Sequence, residues 1–276
     1  MKNFKRVIAF MAAAMLVGSL AACQSSSSSE EQTEADTQTE SEEANDADGA
    51  GSDKIVFGTN AEFAPFEYVT SEGIIGEFDG IDIAIAKEIG DALGKTVEIN
   101  NMEFDSLLVA LEQGQVDAVI AGMTVTEERK DAVDFSETYY EATQVMIVPE
   151  DSEITKAADM EGKNIAVIQG YTGQIAVEGL GYEYDAFKNG ADAVLELKNG
   201  KADVVVIDSA TAAKYVSDNE GLKIVEDEEA FAGEEYAIAV KKGNTELLDQ
   251  INSVITELLA DGTIAELGDK YSVAED

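Results

Sequence analysis

From Lys54 onward, two kinds of apolar spacing alternate along the chain. Short runs rich in Val, Ile and Ala, such as KIVFGT (54–59) and VDAVIAG (116–122), read as strands buried on both faces. Between them lie segments with helical period. IDIAIAKEIGDALG (81–94) places Ile81, Ile85, Ile89 and Leu93 on one face and ends on Gly94, a helix-stop residue. TVEIN (96–100) and FDSLLVALEQG (104–114) continue the series as strand and helix. Strands alternating with helices predict largely parallel sheets covered on both faces.

The pattern also repeats. ALEQGQVDAVIA (110–121) and ELKNGKADVVVI (196–207) share a helix end, a glycine, a two-residue spacer, an aspartate and a buried strand. Any helix-to-strand turn can look like this, so the echo gains weight only from the residues next in the chain after each copy. It predicts two α/β units of similar construction. In such units ligands sit beyond the carboxyl ends of strands, where helix N-termini offer unpaired N–H groups. The first copy runs into AGMTVTEER and the second into Asp208, so a cation and an anion stand at equivalent strand ends.

Before Lys54 the texture changes twice. Lys2, Lys5 and Arg6 precede an apolar stretch, Val7 to Leu20, too short to span a bilayer comfortably, and LAAC (20–23) comes next. Small residues before Cys23 resemble a bacterial lipobox, in which residues 1–22 are a signal peptide and Cys23 carries lipid; the alternative is an ordinary secretory signal. A single cysteine has no intramolecular disulfide partner, which favours lipidation. Residues 24–52 hold nine acids, no bases and little to bury, so the segment from Cys23 to residue 52 is expected to be a disordered tether reaching about 30 Å.

Composition then narrows the function. The 276 residues carry 57 acids against 18 bases, a net charge of −39, which disfavours nucleic acid and anionic lipid surfaces as partners. There is no histidine, so with Cys23 assigned to lipid the usual nucleophile–base sets and zinc sites are not expected. We expect no cofactor and no metal. The spaced aspartates of EFDGID (77–82) leave open calcium binding or acid–base chemistry, although such residues more often cap helices. A surface sensor or adhesin is a further alternative.

Beyond Arg6 the one arginine is Arg129. Thr126 is a good N-cap for EERKDAV, which places Arg129 in a first helical turn. Its planar fork suits a carboxylate, with the Thr124 hydroxyl as a further partner. The plain alternative is a surface pair with Glu127 or Glu128. NAEFAPFEY (60–68) reads as a loop in which Phe63, Phe66 and Tyr68 line something; Phe104 is a further aromatic candidate, and each of these could instead be core.

The ordered series GTNAEFAPFEY, GEFDGIDIAIAKEIGDALG, FDSLLVALEQGQVDAVIAGMTVTEERKDAVDFSETYY, NIAVIQGYTG and ADVVVIDSATA resembles the extracellular solute-binding proteins of amino-acid ABC importers, over nearly all of Lys54 to Tyr271. That resemblance implies an α/β fold of the two-lobed type II periplasmic-binding kind, with two mixed sheets, helices on both faces and two interlobe crossings. The crossings are expected near EATQVMIV (141–148) and EEYAIAV (234–240). Lobe 1 is then 53–142 with 236–276, and lobe 2 is 143–235. The resemblance assigns Arg129 to the ligand α-carboxylate, helped by Thr124 and the backbone near Thr172 and Gly173. Asp208 takes the α-ammonium with the Gly122 carbonyl and the Thr124 hydroxyl. Phe63 and Phe104 sandwich the side chain, and Asn60 and Gln169 lie at its subsite. Asn60 and Ile207 point to an uncharged or weakly polar side chain, while Glu62 keeps a cationic amino acid open. The partners implied are a free amino acid, ABC permease subunits and, through Cys23 alone, the membrane; the expected molecule is a non-enzymatic monomer on the extracytoplasmic face of the cell membrane.

Overall fold

The computed structural model describes residues 53–272. The leader, Cys23 and the acidic tether lie outside the described residues. The chain enters as β1 (Lys54–Thr59), turns through a small antiparallel sheet of β2 (Glu62–Phe63), β3 (Glu67–Val69) and β4 (Phe78–Asp79), and enters α1 (Ile81–Leu93). It continues through β5 (Thr96–Asn101), α2 (Leu107–Glu112), β6 (Ala118–Val119) and α3 (Glu127–Ala132) into β7 (Val133–Pro149), a strand of 17 residues. Then come β8 (Ile165–Ile168), α4 (Thr172–Leu180), β9 (Asp185–Phe187), α5 (Gly190–Lys198), β10 (Val204–Asp208) and α6 (Ser209–Asp218). The chain finishes with β11 (Leu222–Val225), β12 (Gly233–Lys241), α7 (Thr245–Ala260) and α8 (Thr263–Tyr271).

The main sheet runs β5-β1-β6-β12-β7-β10-β8-β9, with β11 also on β7. Parallel pairs occupy its two wings, β1 with β5 and β6, and β8 with β9 and β10. The centre is antiparallel, because β12 runs against both β6 and β7. Long β7 changes partners along its length: Val133 to Thr143 pair with β12, and Gln144 onward pairs with β10 and β11. Two mixed sheets are thereby fused through one strand.

Burial explains why the apolar runs are continuous. In β1, β6 and the two residues after β6, Ile55, Phe57, Ala118 and Ile120 face a core shared with α1 and α7, while Val119, Ala121 and half-buried Val56 face the α2 side. In β8 and β10 the same alternation sends Ala166, Ile168, Val205 and Ile207 to one core and Ile165, Val167, Val204 and Val206 to another. A side-chain period of two with both faces covered leaves no polar position inside the strand. The repeated segment has a structural basis as well. Gly114 and Gly200 both adopt positive φ at the helix ends, and Asp117 and Asp203 each accept a backbone N–H, from Val56 and Asn164, at 2.8 Å.

Helix α1 follows its periodicity: Ile81, Ile85 and Ile89 are buried, Leu93 packs at the edge, and Gly94 closes the helix in the left-handed conformation. Gly90, inside α1, is required by packing, since a Cβ there would sit 2.2 Å from Val97 Cγ2. Helix propensity favours Gly90→Ala by about 1 kcal/mol, whereas overpacking a filled core costs typically about 1–3 kcal/mol. The expected outcome is a lower melting temperature for Gly90→Ala in scanning calorimetry.

Candidate functional site

The carboxyl ends of β1, β6, β8 and β10 converge on one small cavity. Its polar lining is Thr124, Arg129, Thr172 and Asp208, and its remaining wall is Phe63, Phe104, Tyr171, Ala121 and Gly122. The two strand ends singled out by the repeat do carry its opposite charges.

Arg129 is only 9 % exposed. Thr126 caps α3 by accepting the Arg129 N–H at 3.2 Å, as its position before EER implied. The guanidinium then leaves the helix surface: it donates to the Thr124 carbonyl at 2.7 Å and the Gly170 carbonyl at 3.0 Å, and its carbon lies 5.2 Å from the centre of the Phe104 ring. Glu127 pairs instead with Lys130, at 2.8 Å. Burial lowers the Arg129 pKa, and the Asp208 and Glu234 carboxylates oppose that shift.

Asp208, the N-cap residue of α6, is buried and accepts the Tyr236 hydroxyl at 2.6 Å. Burial, then the charge of Glu234, push its pKa up to about 7. Glu234, contributed by β12, was not a candidate in the sequence. Its Oε2 accepts from the Thr172 hydroxyl at 2.7 Å, the Thr124 hydroxyl at 2.9 Å and Gln144 Nε2 at 3.3 Å. Each threonine has one hydroxyl proton, so both hydroxyls turn lone pairs, not protons, toward the cavity. Gly173, in the first turn of α4, is needed for close approach: a Cβ would meet the Val206 carbonyl oxygen at 2.7 Å.

The predicted side-chain subsite is arranged differently from the residue-by-residue expectation. Asn60 donates to the Met102 carbonyl at 3.0 Å and accepts the Tyr171 hydroxyl at 2.9 Å, so it stands behind Tyr171. Gln169 is exposed and donates to Asp105 at 2.9 Å, away from the lining. Glu62 borders a separate groove with Tyr68, Lys214 and Asp218. Phe63 and Phe104 both line the cavity, but the Tyr171 ring packs against each of them. The NAEFAPFEY loop is the β2–β3 hairpin; Phe66 is core, and Tyr68 faces the outer groove.

Gly122 adopts φ +51°, and a Cβ would lie 2.6 Å from Phe63. Its N–H donates to Asp82 at 2.7 Å, and Asp82 also accepts the Tyr139 hydroxyl at 2.9 Å. Burial raises the Asp82 pKa to about 6, and burial together with Asp82 holds Glu67 well above the usual carboxylate range. Both Glu67 carboxyl oxygens are buried without a hydrogen-bond partner. The EFDGID aspartates are thus structural: Asp79 accepts from Gly80 N–H and the Tyr271 hydroxyl, and Asp82 fixes Gly122.

A family model for bacterial extracellular solute-binding proteins, family 3, matches residues 55–274. The arginine-binding extracellular protein ArtP of Bacillus subtilis (strain 168) is 30% identical, with 98% of this chain and 99% of that protein covered. The solved structure of the arginine-, lysine-, histidine-binding protein ArtJ from Geobacillus stearothermophilus superposes with a TM-score of 0.74 at 37% identity, covering 79% of this chain and 94% of that one. An ancestral arginine-binding protein bound to glutamine gives 0.74 at 41% identity, covering 80% and 99%.

The raised carboxyl groups set the pH dependence of the ligand-free fold. An unfolded aspartate titrates near ~3.9, whereas Asp82 and Asp208 titrate at about 6 and about 7. Between those values the folded state holds protons that the unfolded state has released. Their contribution is therefore complete below about pH 4 and is lost as the pH rises through about 6 to 7. In scanning calorimetry without ligand, Asp208→Asn should flatten the upper part of this decline. It should also raise the melting temperature at neutral pH, each kcal/mol appearing as roughly 2–4 °C for a domain of this size.

Proposed function

The chain belongs to the bacterial extracellular solute-binding proteins of family 3, and on that premise we propose that it captures a free amino acid with an uncharged side chain for an ABC importer. Its fold is that of the type II periplasmic-binding proteins. The observation that carries the reading is the pairing of a buried guanidinium and a buried carboxylate in the wall of one small cavity. A zwitterion matches this arrangement. Desolvating its two charges costs several kcal/mol, which only aimed, opposite and hydrogen-bonded partners offset.

In this reading Arg129 takes the α-carboxylate with its remaining N–H groups, joined by the amides of Thr172 and Gly173 at the start of α4. Asp208 takes the α-ammonium. The Gly122 carbonyl and the lone pairs that Thr124 and Thr172 turn inward assist it, and Glu234 adds long-range attraction. We place the lobe boundaries where β7 exchanges β12 for β10, near Thr143, and at the start of β12. The two strands are the hinge, and ligand shifts an open–closed equilibrium. Delivery of ligand to permease subunits and anchoring through Cys23 complete the proposal. A cationic amino acid is the second reading, favoured by relatives named for arginine.

A panel of amino acids screened by thermal shift and calorimetry tests the function: one strong stabiliser supports it, and none overturns it. Arg129→Ala should weaken binding at least about tenfold with circular dichroism unchanged, since each charged hydrogen bond contributes about 1.5–3 kcal/mol. For the ammonium pole, Asp208→Asn should weaken an amino acid more than its deaminated carboxylate analogue; equal losses would remove Asp208 from that role.

A further inference from the structure

The Tyr171 ring occupies the apolar end of the cavity. It meets Phe63 edge-on with centroids 5.3 Å apart and tilts over Phe104 at 4.6 Å. Only 7 % of Tyr171 is exposed. Its hydroxyl donates to Asn60 Oδ1 at 2.9 Å, and Asn60 is itself held by its amide bond to the Met102 carbonyl. The ring is therefore fixed at three points, two aromatic faces and one hydrogen bond.

Resting on the functional reading above, we propose that Tyr171 is a specificity-determining residue that closes the side-chain end of the cleft and restricts the ligand to amino acids with short side chains, the glycine, alanine and serine class. An amino acid held at Arg129 and Asp208 has to direct its side chain to the wall that those groups do not occupy, made of Phe63, Tyr171 and Phe104. A chain of three or more carbons meets the Tyr171 ring there. Moving the ring aside separates two aromatic contacts and leaves the buried Asn60 oxygen without its donor. A hydroxymethyl or methyl group extends less far toward the ring.

The test is a calorimetric panel of glycine, alanine, serine, glutamine, lysine and arginine against the intact chain and the variants Tyr171→Ala and Tyr171→Phe. The wild type should bind the best short-chain amino acid at least about tenfold more tightly than any long one, the lower end of what one misplaced methylene costs in a close-fitting pocket. Tyr171→Ala should narrow or reverse that preference by gaining affinity for the long chains, and Tyr171→Phe, which keeps the ring, should retain most of it. Wild-type binding of glutamine, lysine or arginine as tight as that of alanine overturns the inference while leaving the amino-acid function intact. Binding of none overturns both. If Tyr171→Ala does not fold, the wild-type ranking decides alone.

Discussion

Burying unlike charges without cancelling them is the constraint around which this molecule is organised. One guanidinium and two carboxylates, Arg129, Asp208 and Glu234, act on one another at a single cavity, and burial works against the ionised form of both Arg129 and Asp208. The strands supply the partners that make this tolerable: carbonyls of Thr124 and Gly170 for the guanidinium, the Tyr236 hydroxyl for Asp208, two threonine hydroxyls for Glu234. Neutral donors hold each of the two carboxylates. In the proposed function an ammonium supplies their counterion, so the free energy that burying these charges costs is offset by binding.

Buried polar groups behind the cavity reinforce that arrangement. Gly122 has to adopt a left-handed conformation under Phe63, and the Asp82 carboxylate fixes its N–H from behind. The Tyr139 hydroxyl holds Asp82 in turn. A chain of hydrogen-bonding groups thus runs from the core to the cavity wall. Every member depends on the next for a proton or an acceptor.

Much of this was legible in the residues, for physical reasons. Strands covered on both faces advertise themselves as continuous apolar runs, and α1 as a 3.6-residue repeat. Arg129 was legible because Thr126 fixes where the helix begins. Less visible was the length of β7: in its stretch ETYYEAT, Tyr139 and Ala142 are buried while Glu137 and Glu141 are exposed, and nothing local reveals that β12 will pair with it. The apolar run at 116–121 pairs as strand over two residues only, since Met123 and Val125 then turn to bond β12. Tyr171 and Glu234 escaped the reading because their importance lies in direction, which tertiary packing sets. Asn60 and Gln169 carried the right chemistry, but their amides are committed to Met102, Tyr171 and Asp105.

In the sheet β12 lies between β6 and β7, yet it ends at Lys241, long after both have been synthesised. Until then the strand that joins β6 to β7 at the centre of the sheet is missing. Closing that gap requires contacts of high sequence separation, which form slowly. A polypeptide built in this order completes its central sheet only when its final strand arrives.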